Sequence, residues 1–266
     1  GLVRQRVISY YLGQTFAADA FYAAFRIPNF LQNLFGEGVL SASFIPVYAS
    51  LIADDDRDEA TRVAGAVFSI LALVVSGFVL VGVLAAPVLV DLIAAGFPGG
   101  KRDLTVTLVR VLFPGAGLLV LSAWCLGILN SHRKFFLSYA APVVWNVAMI
   151  ATLVWFGRRS TLPDLAVWLA WGSVAGSALQ MLVQLPVVLR VLGRLRVALM
   201  AKSPHVREIV RNFGPVFVGR GVVQISAYVD AWIASFLVAG SVAALTYAQN
   251  LSVLPVSLFG MSVSAA

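Results

Sequence analysis

The stretch Asp19–Tyr48, DAFYAAFRIPNFLQNLFGEGVLSASFIPVY, decides the class of fold. Read as one helix, it places polar side chains three or four residues apart, on one continuous face. Its other faces carry Phe, Leu, Ile, Val and Ala. We call the polar face the seam; its members are Asp19, Tyr22, Arg26, Asn29, Asn33, Glu37 and Ser41.

The seam must turn away from lipid, because an ionised side chain near the bilayer centre costs about 2.5–3.5 kcal/mol. The favoured interpretation is the wall of a water-filled cavity. Side-chain hydrogen bonds between packed helices and a helix lying on the membrane surface are the alternatives. At about 45 Å, the helix is longer than the hydrocarbon core of about 30 Å. We therefore expect it to tilt, or to bend at Pro28, Gly36 or Gly38.

The chain as a whole has the composition of a polytopic membrane protein. Of its 266 residues, 60% are hydrophobic and 12% are charged, and its long apolar runs leave no room for a soluble domain. The net charge of +7 therefore concerns orientation in the membrane rather than nucleic acid. Because the chain opens without methionine and stops inside an apolar run, we expect a fragment of a longer protein.

The apolar runs predict an all-α bundle of about eight transmembrane spans. Three domains are expected: residues 1–189 form a first transmembrane lobe, 190–207 a basic cytoplasmic linker, and 208–266 the truncated start of a second lobe. The linker could be an interfacial amphipathic helix or a plain basic loop. The expected spans are 1–12, 19–48, 63–90, 104–129, 135–156, 165–189, 209–238 and 243–266.

Basic residues predict the orientation. Ten lie in one alternating set of connectors and four in the other, so the richer set is expected in the cytoplasm, together with the N-terminus. The first set is Arg57, Arg62, Arg133, Lys134, Arg190, Arg194, Arg196, Lys202, Arg207 and Arg211, and the second is Lys101, Arg102, Arg158 and Arg159.

A short repeat indicates two parallel lobes. Leu34-Phe35-Gly36 followed by Val39 recurs as 258–260 followed by Val263. Six expected spans separate the copies, so both point the same way across the bilayer. Many transporters place their site between two such lobes.

Catalytic and metal-binding constellations are absent from the sequence. We therefore expect no enzyme activity, no metal and no cofactor. Gln180 and Gln184 are interpreted as helix-packing residues, and His132 and His205 lie in connectors. Arg220 lies too deep in its span for easy contact with water.

Several motifs together resemble the MviN/MurJ lipid II flippase family of the multidrug/oligosaccharidyl-lipid/polysaccharide exporter superfamily. The resemblance runs the length of the chain. That family has fourteen spans, in two six-helix lobes and two extra helices, so this chain resembles the first lobe and the start of the second. The motifs are Asp19-Ala20-Phe21, Ala24-Phe25-Arg26-Ile27-Pro28-Asn29, Leu34-Phe35-Gly36-Glu37-Gly38, Ser43-Phe44-Ile45-Pro46, Phe113-Pro114, Gly127-Ile128-Leu129-Asn130, Gln184-Leu185-Pro186 and Gln224-Ile225-Ser226.

The resemblance implies movement of an undecaprenyl-diphosphate-linked disaccharide pentapeptide from the inner to the outer leaflet of the cell inner membrane. Transport would proceed by alternating access and supply peptidoglycan synthesis. Implied partners are the lipid-linked substrate, membrane lipids and peptidoglycan synthesis proteins, and the protein is expected to be a monomer. The alternatives are an exporter of another lipid-linked saccharide or of a drug, and a membrane scaffold without transport.

The resemblance also implies a substrate-binding set. Arg4 falls on a cavity arginine of the family, Arg26 on a further basic position, and Asp19 and Glu37 on functional acids. Asn29 and Asn33 join them as members of the seam. Gln32 and Asn250 stand where many members have arginine. Arg220 could supply the missing charge, or could instead pair with Asp230 or Asp19.

Overall fold

The computed structural model describes the backbone of residues 1–193 and 203–264, and their side chains except at 37, 222–227 and 253–264. All regular structure in that part of the chain is helical, as the composition predicts. The helices are α1 (Leu2–Leu12), α2 (Phe16–Phe35), α3 (Glu37–Ala53), α4 (Arg57–Leu84), α5 (Ala86–Ile93), α6 (Gly99–Ser131), α7 (Phe135–Phe156), α8 (Leu162–Leu192), α9 (Pro204–Ser235) and α10 (Ser241–Ser264).

Helix α6 is the centre of the bundle. It packs against α2, α3, α4 and α8, and more than half of its residues, among them Leu108, Val109, Trp124 and Ile128, are buried. A largely apolar helix is expected in such a position. Ser122 joins it to α8: its hydroxyl donates to Gln184 Oε1 at 2.6 Å and accepts from Gln180 Nε2 at 2.9 Å. The predicted packing role of both glutamines is confirmed.

The outer helices present apolar side chains to the surroundings. Leu73 and Leu80 on α4, Trp155 on α7 and Leu182 on α8 are all exposed, which is the arrangement that lipid requires. Within the described residues, five segments are long and apolar enough to cross a membrane: Phe16–Ala53, Arg57–Leu84, Gly99–Ser131, Phe135–Phe156 and Leu162–Leu192. The larger count of about eight spans stays an expectation for α1, α9 and α10.

The segment read as one seam helix is two helices. Gly36 is extended (φ −84°, ψ −155°) and separates α2 from α3. A Cβ atom at Gly36 would collide with the carbonyl oxygen of Gln32, so only glycine fits this break without a shift. The expected bend at Gly36 is confirmed, but a continuous seam is wrong: Glu37 and Ser41 lie on α3, while Pro28 lies inside an unbroken α2.

The connectors gather at two opposite ends of the bundle. At the Lys101 end, defined by residues 13–15, 94–98, 157–161 and 236–240, Tyr247 Oη donates to the Gly13 carbonyl at 2.9 Å and Gly96 N donates to Ser235 Oγ at 3.1 Å. At the His132 end, defined by residues 54–56, 132–134, 193 and 203, Ser203 Oγ donates to Glu59 Oε1 at 3.2 Å. The alternation that the charge count assumes is therefore present. The linker division at 190–207 stays a prediction, and its residues 194–202 lie outside the described part.

Candidate functional site

Arg4 and Arg26 lie near the middle of the bundle's thickness. Arg4 is about eight positions before the end of α1, and Arg26 about ten after the start of α2. At 1.5 Å per residue, both lie about 12–15 Å from the Lys101 end, the mid-depth of a core of about 30 Å. Two helices therefore carry guanidinium groups to the depth at which transporters bind their substrates.

Arg4 has neutral neighbours. Its guanidinium carbon lies 4.5 Å from the centre of the Trp145 ring, and its Nη1 lies 4.0 Å from Met149 Sδ. Its Nε has no hydrogen-bond partner, and none of the ion pairs between described residues includes Arg4. The charge of this half-buried group is thus not neutralised by a described carboxylate.

Trp145 is itself held in place. Its indole N–H donates to Ser173 on α8, at 3.1 Å to the carbonyl oxygen and 3.2 Å to Oγ. Phe25 of α2 stacks on the indole, with centroids 6.1 Å apart and planes at 19°. Arg4 therefore rests on an aromatic surface that α2, α7 and α8 build together.

A second set of contacts fixes α1 beside α2 and α10. Gln5 Nε2 donates to Tyr22 Oη at 2.7 Å, and the ring of Tyr22 meets the edge of the Tyr247 ring at 5.4 Å. Tyr22 is buried, so this seam residue packs between helices. Because Gln5 is next to Arg4, these bonds also restrict where Arg4 can lie.

Arg26 faces α9 and α10. Its Nη2 donates to Gln249 Oε1 at 3.3 Å, and its backbone carbonyl accepts from Tyr228 Oη at 3.1 Å. This residue therefore lies where the first six spans meet the next two helices.

Asp19 lies apart from the arginines, in a cluster that we call the Asp19 clasp. Its Oδ2 accepts from Lys101 Nζ at 2.7 Å and from Gly240 N at 2.6 Å, and its Oδ1 accepts from Ala243 N at 2.8 Å. Gly240 immediately precedes α10 and Ala243 lies in its first turn, where the N-terminal amides and the helix dipole favour an anion. The side chain of Asp19 is only 1% exposed, so it is saturated by protein groups and does not face a cavity.

The remaining predicted residues are dispersed. Asn29 and Gln32 line a cavity of about 10 Å³ between α2, α6 and α8, too small for substrate, so the packing alternative describes this part of the seam. Asn33 is half-buried. Asn250 is exposed and donates to the Thr246 carbonyl at 2.8 Å. The side chain of Glu37 lies outside the described residues.

Arg220 contacts the break between α2 and α3. A Cβ atom on Gly38 would collide with its guanidinium, so the group lies directly against the glycine backbone. Asp19 is not its partner, because the clasp occupies that carboxylate. Asp230 is exposed, and no ion pair among the described residues joins it to Arg220.

Sequence reasoning missed Lys101 and Trp145. Lys101 was counted only as a connector charge, although α6 begins at Gly99 and carries it to Asp19. Trp145 lies in an apolar run of α7, where an aromatic residue is ordinary. A tryptophan that shares a helix face with Pro142 and Met149 gives no sign of its partner until the tertiary contacts are known.

The comparisons with known proteins agree with one another. The family model described as lipid II flippase MurJ matches residues 8–266. The lipid II flippase MurJ of Burkholderia cenocepacia is 33% identical over 272 residues, covering 99% of this chain and 52% of that protein. The probable lipid II flippase MurJ of Haemophilus influenzae is 33% identical over 273 residues, covering 99% and 53%. The chain thus spans about half the length of the curated relatives it matches.

Solved structures show the same likeness. The inward closed conformation of lipid II flippase MurJ superimposes with a TM-score of 0.82 at 26% identity, covering all of this chain and 54% of that one. An inward-facing multidrug resistance MATE family transporter superimposes with a TM-score of 0.71 at 18% identity, covering 97% and 59%, and this likeness concerns the fold alone. The protein is a multi-pass membrane protein, and its chain belongs to the lipid II flippase MurJ family.

Proposed function

We propose that the full-length protein carries lipid II, an undecaprenyl-diphosphate-linked peptidoglycan precursor, from the inner to the outer leaflet of the cell inner membrane. The observation that carries the proposal is Arg4, a mid-depth guanidinium without a described carboxylate partner. A diphosphate that leaves water needs strong donors to replace its hydration, and a guanidinium offers them in pairs. The names of the relatives supply the identity of the cargo.

The Asp19 clasp supports an alternating-access mechanism. It binds α10 to α2 and α6 at the Lys101 end, where it closes the bundle, and we propose that this end faces outward. Substrate would then enter from the cytoplasmic side and leave after the clasp opens. No bond of the cargo is made or broken, so the proposed activity is transport and not catalysis.

In this proposal Arg4 and Arg26 bind the diphosphate, and the hydrogen bond from Gln5 Nε2 to Tyr22 Oη keeps their helices together. Arg220 supplies further charge near Gly38. Asn33, Asn250 and Glu37 are proposed as weaker contacts of the sugar or peptide, and Asp19 as a group that acts through the clasp. Asn29 and Gln32 are proposed as packing residues between α2, α6 and α8. The protein works as a monomer and delivers its cargo to peptidoglycan synthesis proteins.

The test compares Arg4→Gln and Arg4→Lys in the full-length protein, in a host depleted of its own flippase. The readout is the fraction of lipid-linked precursor that an impermeant probe reaches from outside spheroplasts. Arg4→Gln should lower the rate of exposure at least tenfold, because one charge-assisted bidentate contact contributes about 1.5–3 kcal/mol, whereas Arg4→Lys should keep part of it.

Arg110→Gln is the matched control, because Arg110 is also an arginine within a span but is exposed. The Arg110→Gln variant should expose lipid-linked precursor at the parental rate. Full activity of Arg4→Gln at normal abundance would instead favour a scaffold or a different cargo.

A further inference from the structure

The guanidinium of Arg4 is charged, but its described neighbours are not. A guanidinium in the interior of a membrane protein ordinarily pairs with a carboxylate, yet the described contacts of Arg4 are Met149 Sδ and the Trp145 ring. Gln5 and Tyr22 bond to each other rather than to Arg4. Among the described contacts of Arg4, the aromatic ring is therefore the group whose electron-rich face attracts the charge.

An aromatic ring stabilises a cation differently from a carboxylate. Its electron-rich face attracts the guanidinium with about 0.5–2 kcal/mol and leaves the net charge intact. A guanidinium stacked on a ring keeps its N–H groups free in their own plane, where they can bind phosphate oxygens. A carboxylate partner would occupy those same N–H groups.

Trp145 is fixed well enough to act in this way. Two acceptors of Ser173 hold its N–H, and Phe25 packs nearly parallel to its ring. The ring therefore cannot turn away without breaking contacts to both α2 and α8. By contrast, Trp171 on α8 is exposed and has no described contact with Arg4.

We propose that Trp145 is a positioning residue for the anionic headgroup: it holds the Arg4 guanidinium so that its in-plane N–H groups meet a diphosphate. This inference rests on the proposed function, because it acts through Arg4. It also predicts a preference for a diphosphate over a monophosphate, since two adjacent phosphates can engage the oriented donors on both sides of the group.

The test measures binding of farnesyl diphosphate and farnesyl monophosphate to the purified full-length protein in nanodiscs. Trp145→Leu should weaken diphosphate binding about five- to tenfold and reduce the preference over monophosphate. Trp145→Phe, which keeps a ring but loses the N–H, should lie between Trp145→Leu and the parent. Trp171→Leu should bind as the parent does, and thermal unfolding should verify that every variant is folded.

The deciding measurement repeats Trp145→Leu in an Arg4→Gln background. If Trp145 acts through Arg4, Trp145→Leu should change the affinity less than twofold when Arg4 is already replaced by glutamine. An equal loss of affinity in both backgrounds would show that Trp145 only supports the fold. Parental affinity of Trp145→Leu or Trp145→Phe would overturn this inference but not the proposed role of Arg4. If Arg4→Gln itself binds as the parent does, the proposed role of Arg4 fails first.

Discussion

At the scale of single residues, Asp19 and Arg4 differ in whether protein groups neutralise their charge. Asp19 is saturated by three donors, whereas Arg4 has none of the described carboxylates as a partner. Removing one partner from a buried ion pair costs about 3–5 kcal/mol, so Asp19 cannot readily exchange Lys101 for a passing ligand. Arg4 can accept an anion without first losing one.

His132 offers a test at this scale that does not involve substrate. Its Nε2 lies 2.9 Å from Tyr48 Oη, just beyond the end of α6. Burial lowers the pKa of His132 from its ordinary value of 6.5, and the nearby positive charges of Arg57 and Lys134 lower it further. The folded protein therefore binds this proton less tightly than the unfolded chain does.

We expect His132 in the full-length protein to titrate below 6.5, measured by NMR of labelled histidine and assigned with a His132→Gln variant. Its contribution to stability is present above pH 6.5 and is lost as the pH falls through the lowered pKa. Arg57→Gln should raise the pKa only slightly, because burial is the larger cause. A titration at or above 6.5 would contradict the burial of His132.

Sequence alone identified Arg4 and Asp19 but not what each does. Both are ionisable residues in apolar helices, which is enough to mark them. Their partners lie 82 to 224 residues away along the chain, and helical spacing carries no information about such contacts. Lys101 and Trp145 were missed for that reason.

At the scale of helices, the Asp19 clasp joins three elements through one carboxylate. The N-terminus of α10 presents two amides to it, while α6 supplies the cation. The prediction of a helix boundary near residue 243 was sound, since α10 begins at Ser241. The predicted start of a helix marks backbone amides that can bind an anion, but it does not show which anion binds them.

Asp19→Asn should loosen α10, because the amide keeps one acceptor oxygen but leaves Lys101 unpaired. Labelling of an Ala243→Cys thiol by an impermeant reagent, in a full-length Cys125→Ala background, should become at least tenfold faster, a change of about 1.4 kcal/mol. Ala243 is fully buried in the intact clasp.

Asp91→Asn is the control for that experiment. Asp91 also pairs with a basic residue of α6, accepting from Arg102 Nη2 at 2.8 Å, but this pair is exposed and has no hydrogen bond with a described residue of α10. Labelling should keep the parental rate in this variant. If Asp19→Asn also keeps it, the clasp does not hold α10 in place.

At the scale of the whole molecule, the periodic apolar pattern predicted most of the architecture. α7 was predicted with its observed bounds, and α6 and α8 were predicted within a few residues of theirs. Gly36 was predicted as a bend. The division into two helices was not predicted, because residues on both sides continue the same helical spacing; it arises from one extended glycine.

The orientation remains a prediction from the charge bias. We expect residues 54–60, 130–134 and 190–207 in the cytoplasm, and residues 97–103 and 157–163 outside. In intact cells, the full-length Ser160→Cys variant should react with an impermeant thiol reagent, whereas the full-length Ser131→Cys variant should not. Both serines are half-buried, so their access to water differs little. Reaction of Ser131→Cys from outside would show that the orientation is the opposite of the predicted one.

The long separations within the Asp19 clasp have a consequence for biosynthesis. At about 5–20 residues per second, the ribosome adds Lys101 about 4–16 s after Asp19, because 82 residues separate them. The amide of Gly240, 221 residues after Asp19, follows only after about 11–44 s. Lys101 can therefore neutralise Asp19 while the nascent chain still lacks α10. The first helices can assemble around a paired carboxylate, and α10 completes a site that is already electrically neutral.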